Sequence, residues 1–213
     1  MDHYAVFGNP ISHSKSPLIH GFFAKQTKQT LEYLKVEAPL DDFEGSVKRF
    51  FESDGQGLNV TVPFKEEAWS LCEKLSDRAR LAGAVNTLYR DEQGLLCGDN
   101  TDGVGLVSDL KNNGVRLKGK KILIIGAGGA VRGVLQPILN EGPGSLVITN
   151  RTLSKAEALV DVFSGFNNVM ESKAYGNLNT PFDVVINGTS ASLSGALPEI
   201  SKAIFSTNTD VYD

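Results

Sequence analysis

Gly126-Ala-Gly-Gly-Ala130 follows the apolar run Lys121-Ile-Leu-Ile-Ile125 and precedes a helical pattern. A strand that enters a glycine turn and leaves as a helix can hold a pyrophosphate. Gly126 permits the tight turn, Gly128 lets the backbone come close, and the unpaired N–H groups at the helix start face the anion. The third glycine of the dinucleotide pattern is replaced by Val131, so the fingerprint is incomplete. A second apolar strand ends in Asn150-Arg151-Thr152. A carboxylate at such a strand end accepts from a ribose 2′-hydroxyl and repels a 2′-phosphate; an amide and a guanidinium favour the phosphate. The expected cofactor is NADP.

A different chemistry gathers in the first half. Ser14-Lys-Ser16, Leu58-Asn-Val-Thr-Val-Pro-Phe-Lys65, Ala82-Gly-Ala-Val-Asn-Thr87 and Gly98-Asp-Asn-Thr-Asp-Gly103 place small polar side chains and one lysine at element ends or in loops. A rigid scaffold can aim such groups at a small ligand. Asn59 and Thr61 are two apart, on one face if the segment is a strand. Each residue also has a plain structural use. Ser16 can cap a helix, Lys65 can be solvated, Asn86 can close a turn and Asp102 can cap the helix that follows.

The elements that carry these groups alternate. Strands are predicted at 4–8, 31–36 and 58–63, with helices from Ser16 to about Thr27, near 42–52 and over 65–74. Ser16 with Pro17 reads as a hydroxyl N-cap followed by proline at the first helical position. Residues 84–89 and 95–97 read as a hairpin around Asp91-Glu-Gln-Gly94, and a helix runs from Thr101 toward Gly114. The second half offers strands at 121–125, 146–149, 183–187 and 209–212. Helices fall between them, and Ser154 with Glu157 is spaced as a capping box. Pro137 lies inside the helix after the glycine turn and is expected to bend it. The fold class is α/β: an N-terminal α/β domain over 1–103, then a Rossmann-like doubly wound parallel sheet over 104–213.

Composition narrows the classes. The chain has 213 residues, 41% of them hydrophobic and 22% charged, with net charge -4. That is ordinary globular composition, without the basic surface of a nucleic-acid binder. No apolar run approaches a membrane span, and no signal peptide precedes Tyr4-Ala-Val-Phe7. Cys72 and Cys97 are far apart in sequence and read as reduced buried thiols of a cytoplasmic protein. His3, His13 and His20 form no metal-ligand pattern, and His13 and His20 read as surface or helix-start residues.

Taken together, the motifs resemble those of the shikimate dehydrogenases. Ser14-Lys-Ser16-Pro17, Asn59-Val-Thr61-Val-Pro-Phe-Lys65, Ala82-Gly-Ala-Val-Asn86-Thr87 and Asn100-Thr-Asp102-Gly103 carry the likeness. Gly126–Ala130, Asn150-Arg151-Thr152 and Asn187-Gly-Thr-Ser190 continue it in order along the chain. The resemblance implies NADP-linked interconversion of 3-dehydroshikimate and shikimate in aromatic amino-acid biosynthesis. It implies that Ser14 and Ser16 bind the substrate carboxylate, and that Thr61, Lys65, Asn86 and Asp102 hold the ring hydroxyls, supported by Asn59. Lys65 and Asp102 are then the catalytic pair. Gly126, Ala127, Gly128, Gly129 and Ala130 hold the pyrophosphate, and Asn150, Arg151, Thr152 and Lys155 receive the 2′-phosphate. Asp77, Thr189 and Ser190 also face the cofactor. The family continues past a segment like Asp210-Val-Tyr-Asp213 with a Tyr and a Gln that touch substrate and a helix that returns to the first domain. The resemblance further implies a monomer or homodimer whose domains close on the substrate by a hinge near residue 103. Two other readings stand beside it: a quinate/shikimate dehydrogenase with relaxed cofactor use, and an inactive NADP-binding fragment.

Overall fold

In the computed structural model, residues 1–165, 169–189 and 199–213 are described. The chain divides into two compact units, Met1–Thr101 and Asp102–Asp213, so Asp102 and Gly103 open the second unit. The first unit runs β1 (Asp2–Gly8), α1 (Ser16–Thr27), β2 (Leu31–Glu37), α2 (Phe43–Glu52), β3 (Gly55–Val60), α3 (Lys65–Leu71), β4 (Lys74–Leu75), α4 (Asp77–Ala82), β5 (Thr87–Arg90) and β6 (Leu96–Asp99). Its mixed sheet has the order β2-β1-β3-β5-β6-β4. β1 pairs in parallel with β2 and β3, whereas β5 runs antiparallel to both β3 and β6. Ala5 and Phe7 of β1, Leu58 and Val60 of β3 and Leu88 of β5 join Phe43 and Phe64 in one buried cluster. The Phe43 and Phe64 rings stack with centroids 4.5 Å apart. On α1 only Ala24 is buried, and Leu18, Ile19, Phe22 and Phe23 are exposed.

The second unit runs α5 (Asp102–Asn112), β7 (Lys121–Ile125), α6 (Gly129–Asn140), β8 (Ser145–Thr149), α7 (Leu153–Val162), β9 (Met170–Ser172), β10 (Val184–Asn187) and β11 (Asp210–Tyr212). All its strand pairs are parallel, in the order β11-β10-β7-β8-β9. The chain therefore winds outward from β7 through β8 to β9, then crosses back to start β10 on the other side. That reversal between β7 and β10 is the topological switch point of a doubly wound sheet, where ligands bind beyond the strand ends. β7 and β8 are buried on both faces, as parallel strands covered by helices must be.

Several local expectations are corrected. The helix expected over 65–74 stops at Leu71, and Lys74–Leu75 instead pairs with β6. The strand expected to reach Pro63 ends at Val60, although Thr61 N–H still donates to the Phe7 carbonyl at 2.9 Å. Ser16 does not cap α1; it is the first helical residue, and its N–H donates to Ser14 Oγ at 3.3 Å. Ser154 and Glu157 form no capping box, because α7 already begins at Leu153 with Thr152 at the N-cap. The short α4 and β9 had no sequence counterpart.

Two features fix the segment 99–103. Asp99 ends β6 and accepts from Ser76 Oγ at 2.6 Å, Arg78 Nε at 2.7 Å and the Asn100 N–H at 2.7 Å. Ser76 Oγ also accepts from Ala79 N–H at the start of α4, so one hydroxyl caps the helix and ties it to the sheet. Gly103 lies in the first turn of α5 against α6. A Cβ there would sit 2.4 Å from the Gly133 carbonyl oxygen and 2.6 Å from Pro137 Cγ. This glycine answers to close helix packing, and α5 cannot approach α6 as it does with any side chain at 103.

Gly103→Ala should therefore lower stability by about 1–3 kcal/mol, the usual cost of overpacking; an unchanged urea midpoint would refute the tight contact. Hydrogen bonding from Arg78 leads the causes that lower the Asp99 carboxyl from the ordinary 3.8 to about 2. A carboxylate depressed in this way stabilises the fold above its unfolded value, and the contribution vanishes as pH falls through the folded one. The stability gap between the parent chain and Asp99→Asn should be full at pH 5 and close between about pH 4 and pH 2 in urea titrations.

Candidate active site

Strand register brings the polar clusters, as far as Thr101, to one end of the sheet of the first unit. Phe7 near the end of β1 lies beside Val60 at the end of β3. Asn59 pairs with Thr87 at the start of β5, and Thr87 pairs with Asp99 at the end of β6. The segments 9–16, 61–65, 84–86 and 99–101 all leave the sheet there. Four separate segments of the chain thus reach the same end of the sheet through register.

Hydrogen bonds then lock these segments together. Val60 N–H donates to the Asn86 carbonyl at 2.9 Å, and Asn86 N–H donates to the Asp99 carbonyl at 3.0 Å. Val85 N–H donates to the Lys65 carbonyl at 2.8 Å, which fixes the start of α3 against the 84–86 loop. Asn100 is fully buried and its Nδ2 donates to the Ala84 carbonyl at 3.0 Å. The Asn86 side chain, 8% exposed, accepts at Oδ1 from Thr101 N–H at 3.1 Å and from Thr87 Oγ1 at 2.9 Å. Its Nδ2 donates to Thr101 Oγ1 at 3.0 Å. Thr101 is not among the residues expected at the site; the signal for it is its place inside Asn100-Thr-Asp102.

Lys65 is the first residue of α3 and is half-buried. Ser14 Oγ donates to Ser16 Oγ at 3.2 Å at the start of α1, which turns both hydroxyls into one local pair. Thr61 lies just past β3, and its methyl occupies the space over Gly8, where a Cβ would come within 2.5 Å. Asn59 faces its neighbours: Oδ1 accepts from the Tyr33 hydroxyl, while Nδ2 donates to the Asn86 carbonyl at 3.2 Å and Thr87 Oγ1 at 3.3 Å. His20 is not merely a surface residue, because its ring stacks on Tyr33. Asp77 is exposed in the first turn of α4. Asp102, half-buried, opens α5 in the second unit.

In the second unit the glycine turn sits at the switch point. Gly126 adopts φ +116, a conformation that favours glycine, and its N–H donates to the Thr149 carbonyl at 2.7 Å. A Cβ on Gly126 would lie 3.0 Å from the Gly188 carbonyl oxygen, so β7 and β10 leave the sheet in close contact. Val131, at the position of the missing third glycine, is buried, and a Cβ on Gly188 would fall 2.5 Å from its Cγ2. Close packing is thus obtained with the small residue on the strand side and the larger one on the helix. Gly128 is the N-cap of the 12-residue α6, and Gly129 and Ala130 lie in its first turn; Ala127 is buried. These backbone groups fit a pyrophosphate. Arg151, Thr152 and Lys155 are exposed just beyond β8, and Asn150 Nδ2 donates to the Thr152 carbonyl at 2.8 Å, which closes that turn. This donor set suits a phosphate monoester and contains no carboxylate. Asn187 Oδ1 accepts from the N–H and the hydroxyl of Thr189 at 3.1 and 2.8 Å, shaping the turn after β10. Ser190 lies outside the described residues.

Comparison with known proteins follows the same division. Residues 6–88 match the shikimate dehydrogenase substrate binding domain, and residues 109–197 match the shikimate / quinate 5-dehydrogenase family. The shikimate dehydrogenase (NADP(+)) of Hahella chejuensis is 58% identical over 214 residues, covering 100% of this chain and 78% of that protein. The shikimate dehydrogenase of Aquifex aeolicus superposes with a TM-score of 0.89 at 32% identity, over 99% of this chain and 77% of that one. The Thermus thermophilus enzyme, solved in complex with NADP(H) and shikimate, gives 0.86 at 30% identity, over 99% and 77%. With its sheet order, its glycine turn and relatives this similar along its whole length, the chain belongs to the shikimate dehydrogenase family.

Proposed function

We propose that the chain interconverts 3-dehydroshikimate and shikimate with NADP(H), a step toward the aromatic amino acids, and that the residues gathered above carry it out. The observation that supports this most is the convergence of four polar segments at one end of the first sheet, with Lys65 at the head of α3.

Reducing a ring ketone requires hydride at carbon and a proton at oxygen. NADPH, when bound, supplies the hydride. Gly126, Ala127, Gly128, Gly129 and Ala130 hold its pyrophosphate, and Asn150, Arg151, Thr152 and Lys155 hold the 2′-phosphate. Thr189 and Asp77 complete the contacts to the cofactor. Ser14 and Ser16 donate hydrogen bonds to the substrate carboxylate. Thr61 and Asn86 fix the ring hydroxyls, and Asn59 acts behind them by holding Asn86. Lys65 places its ammonium on the reacting oxygen, where it stabilises the developing alkoxide and passes the proton. Asp102 is the second catalytic residue of this reading and orients the hydroxyl. Positioning by this many fixed groups is itself a large part of the rate.

Cys72 and Cys97 are free thiols, which suits a reducing compartment, and we place the reaction in the cytoplasm. Among the described residues no helix is long and apolar enough to cross a membrane. A monomer or a homodimer serves this chemistry equally.

Lys65→Ala should depress kcat by about 10²–10⁴ with KM for shikimate little changed, because the ammonium acts on charge that develops only in the transition state. A large KM rise at normal kcat would reject that role. Arg151→Ala should weaken NADPH by roughly ten- to a hundredfold, as expected for a lost charged hydrogen bond, and NADH hardly at all. Equal losses for both nucleotides would sink the 2′-phosphate assignment. The activity itself is tested by following reduced nicotinamide formation with shikimate and with quinate, each with NADP and NAD.

A further inference from the structure

We propose that Tyr33 and His20 are positioning residues that hold Asn86 in place through Asn59 and join the hydroxyl-binding side of the substrate site to the helix that begins at Ser16. The proposal rests on the reading that Ser14, Ser16 and Asn86 meet the substrate.

The connection starts on α1. His20 lies one turn after Ser16, so the two residues share a face of that helix. The His20 ring stacks on Tyr33 of β2, with centroids 4.2 Å apart and planes inclined by 9°. Burial pushes the Tyr33 phenol above its ordinary value, so it remains a donor at neutral pH. β1 separates β2 from β3, and the phenol bridges two strand spacings, roughly 10 Å, to reach Asn59 on β3. There the Tyr33 hydroxyl donates to Asn59 Oδ1.

That bond has a direction. Asn59 must present its NH2 group to the Asn86 carbonyl at 3.2 Å, because a carbonyl can only accept. Its Oδ1 is thereby turned toward Tyr33, whose hydroxyl is placed to donate. Thr87 Oγ1 accepts from Asn59 Nδ2 at 3.3 Å and donates its proton to Asn86 Oδ1 at 2.9 Å. Asn86 is then oriented with Nδ2 toward Thr101 Oγ1 at 3.0 Å, while Thr101 N–H donates to its Oδ1 at 3.1 Å. Each bond from Tyr33 to the Asn86 side chain thus has its donor assigned by the one before or after it. Losing the phenol O–H leaves Asn59 Oδ1 without that donor and lets the amide turn, which propagates to Asn86.

The experiment uses the 213-residue chain with Tyr33→Phe, His20→Ala and His20→Phe. Tyr33→Phe keeps the ring and deletes one donor, so the fold should survive. KM for shikimate should rise and kcat should fall, each by roughly three- to tenfold, the size of one hydrogen bond. KM for NADP should stay within about twofold, an order of effect well below one hydrogen bond. His20→Ala should show a smaller version of the same split, and His20→Phe, which retains a stacking ring, should restore it. Amide hydrogen exchange at Thr101 should accelerate in Tyr33→Phe. Unchanged shikimate constants, equal losses for shikimate and NADP, or no rescue by His20→Phe would overturn the proposal. A parent chain that binds NADP yet never turns over shikimate overturns the functional reading instead. In that case Thr101 exchange still decides: acceleration in Tyr33→Phe upholds the relay, and unaltered exchange refutes it.

Discussion

A buried amide must find hydrogen-bond partners, and the Asn86 side chain finds them on two separate segments. Thr101 supplies an N–H and a hydroxyl, and Thr87 supplies a second hydroxyl. Meeting this need draws the end of β6 onto the start of β5, and the backbone bonds of Asn86 to Val60 and Asp99 hold both against β3. Lys65 is fixed by the same loop through Val85, so the head of α3 takes its place from the neighbours of Asn86. Asp99 secures the far side with Arg78 and Ser76. The polar groups of the first unit are therefore organised by desolvation: a site that hid no amide would have no reason to be so tightly cross-linked.

The second unit is governed by packing. Among the described residues its five strands are parallel, and glycines stand just past β7 and β10, where the winding reverses and sheets of this kind bind ligands. Gly126 is there for its backbone conformation, and Gly188 for the space it vacates. The acceptors of a pyrophosphate would meet main-chain N–H groups there, and in the proposed function the choice between nucleotides falls to exposed side chains after β8.

Much of this was legible in the residues. The apolar runs at 121–125 and 146–149, and the glycine turn after the first, could hardly fold otherwise, and β7 and β8 lie almost where the pattern sets them. The polar clusters were visible as clusters, and their gathering follows from pairing that no local pattern encodes. What stayed hidden had weak local signals. β4 has two residues and β9 reads Met-Glu-Ser, so neither shows alternation, and each exists because a neighbouring strand offers an edge. The Ser154–Glu157 spacing pointed to a cap, yet the helix start was decided two residues earlier at Thr152. Tyr33 falls inside a predicted strand and His20 reads as a surface or helix-start residue; only the fold shows that they touch.

The exchange of sizes between Val131 and Gly188 reaches beyond this one chain. Two positions 57 apart in sequence share a single volume, so neither can be altered alone without a void or a collision. Among descendants of this sequence they should drift as one character, with a glycine at 131 permitting bulk at 188 and bulk at 131 forbidding it. A search for the nucleotide signature that demands the third glycine would pass over such chains, although the glycine turn and the packing behind it are kept.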